Sequence, residues 1–413
     1  MLSLIALRPI LLMQVLVILA TVIDLISGRL QLPSRKQPWW IIMTGLFAGI
    51  VFSHAGNFYI GGAIFAFSEF GKTYLTFIVI WINLNTTKRI LIFSTLLVIM
   101  GTFIAVHCIL VSQTGSGFGG GGAMKRGDAV GITQAQFYGI FSDPNDTAQI
   151  LVLVIPLCVL IMIRYKAVFK IIPAGIIITL VWGVIATQSR GGFISMGITF
   201  FVALRSFFRP LHFAMILIVG AAAFPVLAPA RLSGGMVDES SSSRVAFWGE
   251  GTQAFISKNP LFGVGFKSIH DHTSSGHTVH NSYVEAYTEL GAFGYIFWFS
   301  ATVFAIYSMV RLSKTLPENN EEKSLVNWIK CIIPGLAGIY AAGFFLSRAY
   351  TVPTYVVFAM IAACYNIISQ KVGVISVNQY CNIDPKQWIK WISLAWLNII
   401  FIYILIRILN LVI

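Results

Sequence analysis

Charge is scarce in this sequence. Charged residues make up 10% of the 413 positions and hydrophobic residues 57%. Soluble domains carry about 25% charged residues, so a soluble fold of this size could not hide the apolar surface. A bilayer-spanning helix needs about 20 apolar residues, and the chain is long enough for about a dozen. The shortage of charge therefore excludes a soluble globular protein and predicts a polytopic membrane protein.

Acidic residues and patterned cysteines are also lacking. The chain has 15 Asp and Glu against 28 Lys and Arg, for a formal net charge of +13. No basic run with interleaved aromatics is present, so we predict contact with anionic membrane lipids and none with nucleic acid.

The five cysteines show neither CxxC nor disulfide spacing, which predicts packing residues. The opening stretch 1–26 lacks an A-x-A-like site, so no cleavable signal is expected.

Apolar stretches, in contrast, fill most of the chain. A backbone in lipid must satisfy its own hydrogen bonds, so we predict an all-α fold. The whole chain, 1–413, is predicted to form a single membrane domain of about 12 transmembrane helices. The predicted spans are 4–27, 39–54, 58–83, 90–112, 147–163, 168–188, 191–207, 210–229, 281–310, 329–347, 351–369 and 388–411.

Basic residues are concentrated in alternate loops, which the positive-inside rule assigns to the cytoplasm. The loops 113–146 and 230–280 then lie on the other face. This topology puts the N-terminus outside, unless one span is miscounted. The stretch 58–83, which contains Glu69 and Lys72, is the candidate for an interfacial segment followed by a short span. The basic loop residues are Arg29, Arg35, Lys36, Lys88, Arg89, Arg164, Lys166, Lys170, Arg205, Arg209, Arg311, Lys314, Lys386 and Lys390.

The outer loop 113–146 contains a glycine-rich run at 115–122. This run lacks the preceding strand and the final Gly-Lys-Ser/Thr of a P-loop, so we predict a flexible linker. The loop ends just before a span with Asn145 and Asp146, which act either as helix caps or as site residues.

The longest polar stretch, 230–282, carries most of the candidate chemistry. Within it we predict an interfacial helix beginning near Arg244, with Trp248 at headgroup level. The helix dipole disfavours a cation in a first turn, so we expect an anionic partner for Arg244 from the protein or a ligand. Arg190 and Arg348 lie between outer span ends, where each either snorkels or meets an anion.

Four of the seven histidines lie in the same stretch. His270-x-His272 and His277-x-x-His280 have acceptable spacing for a metal, but no Cys or HExxH motif accompanies them. The alternative is a single working histidine. His280 precedes a predicted helix, where a neutral imidazole suits a general base. We favour this second interpretation and predict no metal.

Taken in order, these motifs resemble those of the O-antigen ligase/polymerase superfamily, the WaaL/Wzy-like proteins. The resemblance covers about 140–290, and the remainder of the chain matches only as apolar spans. The family usually has cytoplasmic termini, which the topology above does not give. The matching motifs are Asp143-Pro144-Asn145, Ser189-Arg190-Gly191, Arg244 with Trp248, the turn 259–265 (Asn-Pro-Leu-Phe-Gly-Val-Gly), His280-Asn281 and Glu289-Leu290-Gly291.

The resemblance implies a GT-C-like bundle in the bacterial inner membrane, with a periplasmic catalytic loop at 230–282. It implies transfer of a glycan from undecaprenyl diphosphate to an acceptor hydroxyl, without a cofactor. For a ligase the acceptor is lipid A core or a similar molecule, and we favour this reading. The alternative is a Wzy-type polymerase, whose acceptor is a second lipid-linked repeat. A polyisoprenoid-glycan or solute transporter is less favoured, because no internal repeat is present.

The resemblance also assigns roles to residues. His280 would accept the proton of the acceptor hydroxyl, and Arg190 and Arg244 would bind the diphosphate as charge grows on it. The residues expected to bind substrate or orient the imidazole are Asn281, Glu289, Trp248, Asn145 and Arg348.

Overall fold

The computed structural model describes residues 9–125, 133–164, 167–207, 239–274, 276–314, 319–381 and 384–412. In these residues the fold is a helical bundle with one short antiparallel hairpin, β1 (Ala123–Lys125) and β2 (Thr133–Ala135). The all-α prediction is therefore confirmed. The helices are α1 (Pro9–Ile26), α2 (Pro38–Ala55), α3 (Ile60–Asn83), α4 (Thr87–Thr114), α5 (Pro144–Arg164), α6 (Ile171–Ala186), α7 (Arg190–Phe207), α8 (Glu239–Ser257), α9 (Ser282–Leu312), α10 (Asn320–Gly343), α11 (Val352–Val372), α12 (Val374–Tyr380) and α13 (Pro385–Val412).

Among the described residues, eight helices are long and apolar enough to cross a membrane: α2, α3, α4, α5, α9, α10, α11 and α13. Two shorter apolar segments, Leu12–Ile26 and Ile171–Ala186, accompany them. The chain is thus a multi-pass membrane protein. The count of twelve spans stays a prediction, because the stretch 210–229 lies outside the described residues.

The suspected interfacial segment at 58–83 is a continuous helix. It forms α3, which is one of the eight candidate spans, so the interpretation as an interfacial segment plus a short span is wrong. Lys72 donates to Glu69 Oε1 at 2.5 Å, one helical turn away. The two charges therefore compensate each other within the span, which is why a helix with two ionisable residues still fits an apolar bundle.

Side-chain contacts bring several loop ends together at one end of the bundle. Gln37 Nε2, just before α2, donates to Asn366 Oδ1 near the end of α11 at 2.7 Å. Asn83 Nδ2, at the end of α3, donates to Thr21 Oγ1 near the end of α1 at 2.8 Å. The start of α2 and the end of α11 therefore lie together, as do the ends of α1 and α3. The assignment of the basic loops to one face stays a prediction.

The glycine-rich run at 115–122 forms an ordered turn, so the expectation of a flexible linker is wrong. The backbone N–H of Phe118 donates to His107 Nδ1 at 3.1 Å, and His107 Nε2 lies 3.1 Å from the carbonyl of Gln136. A Cβ at Gly117 would come within 2.3 Å of the His107 ring. Glycine is needed here because the imidazole from α4 packs directly on the backbone.

Helix α9 is broken at Gly291, whose φ of 63° and ψ of −176° are not helical. The break frees backbone groups on both sides of it, and the turn 259–265 fills that gap. We call this assembly the kink clamp. Its four hydrogen bonds run from Val264 N to Thr288 O (2.9 Å), Gly265 N to Glu289 O (3.0 Å), Ala292 N to Pro260 O (2.9 Å) and Phe293 N to Leu261 O (3.0 Å).

The end of α2 holds the kink clamp from the other side. Asn57 Nδ2 donates to the carbonyl of Gly263 at 2.9 Å, and Asn259 Nδ2 donates to Asn57 Oδ1 at 3.0 Å. His54 Nε2 lies 3.0 Å from the carbonyl of Phe266. The turn is therefore fixed to two spans, and it carries the polar segment 266–281 above them.

Candidate functional site

Asn281 caps α9 and fixes the residue that precedes it. Its Oδ1 accepts from the backbone N–H groups of Tyr283 at 2.9 Å and Val284 at 3.1 Å, the usual task of an N-cap side chain. Its Nδ2 is buried and has no hydrogen-bond partner among the described residues. His280 stands directly before it. The amide of Asn281 thus has unused donors next to the predicted base.

Trp248 supports the segment that leads to His280. Its Nε1 donates to the carbonyl of Val279 at 2.6 Å, and its ring packs edge-on against Phe344 with centroids 5.5 Å apart. Only 6% of the residue is exposed. Helix α8 therefore packs its apolar side against the bundle, and the position of Trp248 at headgroup level stays a prediction. Contact of Trp248 with substrate stays a prediction.

Several charges act on His280. The pKa of His280 is lowered to about 4, first by burial and then by the charge of Arg244; Asp143 opposes this change, and Arg348 adds to it. The imidazole is therefore neutral at neutral pH, as a general base must be. The value lies below the working range expected from the sequence, because the loop is packed inside the protein.

Arg244 belongs to the second turn of α8, because the helix begins at Glu239. The expectation that Arg244 lies in the first turn is wrong by about one turn. Its charge nevertheless acts on His280, together with the charges of Arg348 and Asp143. The structure thus brings two of the three predicted catalytic residues, Arg244 and His280, into one electrostatic group.

Arg348 does not snorkel. Its guanidinium forms a two-pronged ion pair with Asp146, with Nη2 donating to Oδ2 at 2.7 Å and Nε donating to Oδ1. Its backbone N–H donates to Ser282 Oγ at 2.9 Å. Arg348 therefore joins the first turn of α5 to the first turn of α9, and its anionic partner comes from the protein.

The Ser-Arg-Gly motif starts α7 against the same turn of α5. Ser189 Oγ donates to Asn145 Oδ1 at 2.6 Å and accepts from the backbone N–H of Gly192 at 3.0 Å. A Cβ at Gly192 would lie 2.3 Å from the Cβ of Ala148. Asn145 is thus a partner of the motif, and Arg190 begins α7 at this junction. Substrate contact of Asn145 stays a prediction.

The side chain of Glu289 is hydrogen-bonded to the backbone. Its carboxylate accepts from the N–H groups of Lys267 at 2.8 Å and Ile269 at 3.3 Å, and 1% of the residue is exposed. It therefore ties the segment 266–269 to the kink clamp. Its predicted contact with sugar or with the imidazole stays a prediction.

His270 and His277 each contact a different neighbouring side chain. His270 Nε2 lies 3.3 Å from Asp271 Oδ1, and the ring of His277 stacks parallel to Phe247 with centroids 5.8 Å apart. In the part of the chain that the structure describes, no group of three or more His, Cys, Asp or Glu is placed to hold a metal ion. The absence of a metal stays a prediction.

A cavity of about 850 Å³ lies beside these residues. It is lined by α3, α5, the segment 266–278 and the stretch 347–354. Arg348 lies in its wall and also acts on His280. Arg190, Arg244 and His280 are not among the lining residues. Arg348 is therefore the link between the cavity and the charges around the imidazole.

Strained backbone marks the same region. Of the four described non-glycine residues with positive φ, three lie at the site: Gln188 (φ 51°), Lys267 (φ 57°) and His280 (φ 49°). Such conformations cost free energy and persist where neighbours impose them, often at functional sites.

Sequence reasoning missed Lys267 and Ser282. Neither lies in a recognisable motif, although Lys267 directly follows the Gly-Val-Gly-Phe stretch.

The fold and the site thus define a multi-pass α-helical membrane protein with half-buried cations around a neutral histidine. The model of the family Wzy_C, O-Antigen ligase, matches residues 175–299, from α6 through the kink of α9. This match confirms the resemblance to the O-antigen ligase and Wzy-like superfamily. The match supports an activity of the O-antigen ligase or polymerase type. No curated protein matches the chain.

Proposed function

We propose that this protein is an O-antigen ligase-like glycosyltransferase. It moves a glycan from undecaprenyl diphosphate to a hydroxyl of lipid A core or a similar acceptor. The observation that carries the proposal is the neutral, half-buried His280 under the charges of Arg244 and Arg348, at the capped start of α9. The site is on the periplasmic side of the bacterial inner membrane, opposite the basic loops.

The proposed reaction is a direct displacement. The acceptor oxygen attacks the anomeric carbon, and the bond from that carbon to the diphosphate oxygen breaks. The diphosphate leaves with the electron pair, and His280 takes the proton of the hydroxyl. A general base of this kind contributes roughly 10²–10⁴-fold to the rate. No nucleotide is needed, because the lipid diphosphate is already a good leaving group.

Arg190 and Arg244 are assigned to the diphosphate. A guanidinium grips phosphate oxygens with parallel donors, and such donors stabilise charge best where water is excluded. Arg244 is supported by its effect on His280. Arg190 is supported by its place at the α5–α7 junction, next to the Ser189–Asn145 hydrogen bond. The unused donors of Asn281 suit a phosphate or sugar oxygen.

Because of the same cations, the basicity of His280 should depend on whether the lipid-diphosphate substrate is bound. In the free protein, burial and then Arg244 hold the pKa of His280 at about 4. A bound diphosphate would offset the positive charges and raise the pKa of His280. The imidazole would therefore become a stronger base only once the donor is in place. This order favours transfer to the acceptor in the complete complex.

The test is transfer from undecaprenyl diphosphate-linked glycan by purified variants. His280→Ala and Arg190→Ala should each abolish transfer, while the protein still inserts at the normal level. His272→Ala is the matched control, because it removes a histidine of the same loop outside the assigned site. Wild-type activity of His280→Ala would remove the base assignment. Loss of activity in EDTA, restored by a divalent cation, would favour a metal site instead.

A deletion strain separates the two acceptor classes. Lipopolysaccharide gels should show full-length glycan left on the carrier lipid if the protein is a ligase. Single repeat units on the core would contradict the ligase proposal and favour the polymerase.

A further inference from the structure

The 850 Å³ cavity extends far below the level of His280. The α3 residues in its wall run from Phe65 to Thr76, which is roughly 16 Å of helix at about 1.5 Å per residue. On α5 the wall runs from Asp146 at the helix start to Leu153. The cavity therefore begins at the site end of the bundle and continues into the membrane-spanning part.

Polar side chains line this cavity where a hydrocarbon surface is expected. They come from three helices: Gln14 of α1, Gln149 of α5, and Glu69, Lys72, Thr73 and Thr76 of α3. Ionisable residues in a span are costly unless they face a polar interior. Glu69 and Lys72 pair with each other, and with the neighbouring polar side chains they make this part of the wall polar. Such a wall suits a polar occupant better than a lipid tail.

The cavity wall near the start of α9 contains a hydroxyl group that makes no hydrogen bond within the described residues. Ser347 is 8% exposed, and its Oγ has no hydrogen-bond partner among the described residues. Glu285 is 7% exposed, and its Oε2 accepts from the N–H of Ala349 at 2.9 Å. Both residues lie in the cavity wall. A ligand rich in hydroxyl groups would satisfy them, because hydroxyls both donate and accept.

The charges of the wall do not suit a diphosphate. Its carboxylates are Glu69, Asp146, Glu285 and Glu289, and its permanent cations are Lys72, Lys267 and Arg348. Asp146 pairs with Arg348, and Glu69 pairs with Lys72. The cavity thus lacks the excess of cations that a multiply charged anion requires. A polyhydroxylated sugar has no such requirement.

We propose that this cavity binds the glycan part of the acceptor, with Glu285 accepting hydrogen bonds from its hydroxyls. This inference rests on the proposed function. Arg348 connects the two places, because it lies in the cavity wall and acts on His280. The acceptor hydroxyl then reaches the base from the cavity side, while the diphosphate stays with Arg190 and Arg244.

Thiol labelling tests the occupant without requiring transfer. The five native cysteines are buried, so a single Thr76→Cys substitution gives one reactive thiol in the wall. Delipidated core oligosaccharide should slow its reaction with N-ethylmaleimide several-fold, and undecaprenyl diphosphate should not. Ser257→Cys is the control, because Ser257 is exposed at the end of α8 and is not in the wall. Protection by undecaprenyl diphosphate alone, or by neither probe, would overturn the proposal.

Kinetics of Glu285→Gln give a second test. Glutamine can still accept the hydrogen bond from Ala349, so a purely structural role predicts unchanged kinetics. The proposal instead expects the KM for the acceptor to rise about tenfold, with the KM for the donor unchanged. A rise in the donor KM only, or no change, would overturn it. If His280→Ala were fully active, the base assignment would fail while labelling still reported on the cavity.

Discussion

The kink clamp lies around Gly291 of α9, and the His280 segment lies just before the same helix. The polar groups are hydrogen-bonded in the first region and partly unpaired in the second. In the kink clamp, the backbone groups freed by the break at Gly291 pair with the turn 259–265, and Glu289 pairs with two amides. At the start of α9, Asn281 keeps an unpaired amide, and the charges of Arg244 and Arg348 act on His280. Polar motifs that look alike in the sequence thus have two different roles. Some form the hydrogen bonds that fix the loop, and others keep donors that are not hydrogen-bonded within the described residues.

This difference has a physical reason. A broken span must satisfy its freed backbone groups within the membrane, so the clamp residues have no capacity left for a substrate. A catalytic group needs the reverse, namely donors and charges that remain available to the transition state. The two regions are coupled, because the clamp fixes the position of the segment 266–281.

The largest expected effect comes from breaking the clamp. In Gly263→Ala, the new Cβ would lie 2.4 Å from the carbonyl oxygen of Glu289, in a residue with φ of 73°. We expect loss of folded protein, measured by the monodisperse fraction in size-exclusion chromatography. Gly276→Ala is the control, since Gly276 also has positive φ but open space around it. It should lose only about 1–3 kcal/mol. Equal behaviour of the two variants would contradict the clamp.

A smaller effect should separate capping from chemistry at Asn281. Asn281→Asp keeps an oxygen that caps α9 and removes the unpaired amide. We expect unchanged thermal stability and transfer reduced by about 10–100-fold, corresponding to roughly 1.4–2.7 kcal/mol. Asn281→Ser removes the amide without adding charge and should lose activity similarly. Full activity of both variants would restrict Asn281 to the cap.

The smallest expected effect is a shift in titration. Arg244→Gln removes a charge that lowers the pKa of His280, so that pKa should rise from about 4 by about one unit. Diethyl pyrocarbonate modifies neutral imidazole, so at pH 5 the modification of His280 should be slower in the variant than in the wild type. Peptide mass spectrometry reads this out. An unchanged rate would separate Arg244 from His280.

Much of the fold was accessible from the sequence, because hydrophobic runs and basic loops report directly on membrane spans. The site was accessible in part. His280 and Arg244 were placed together by their motifs, and the structure puts them in one electrostatic group. The deep burial of Trp248, the Arg348–Asp146 pair and the ordered glycine-rich turn were not accessible. Each depends on residues distant in the chain, and no local pattern encodes those contacts.

By itself, the sequence determined that this chain crosses a membrane many times and interrupts its apolar spans with a long polar stretch. Apolar length and charge placement act locally, so they can be read from the sequence. Only the tertiary structure decided which polar groups are consumed in holding a broken helix and which remain unpaired beside His280. That division depends on hydrogen bonds between segments far apart in the chain, and it forms only when the helices pack.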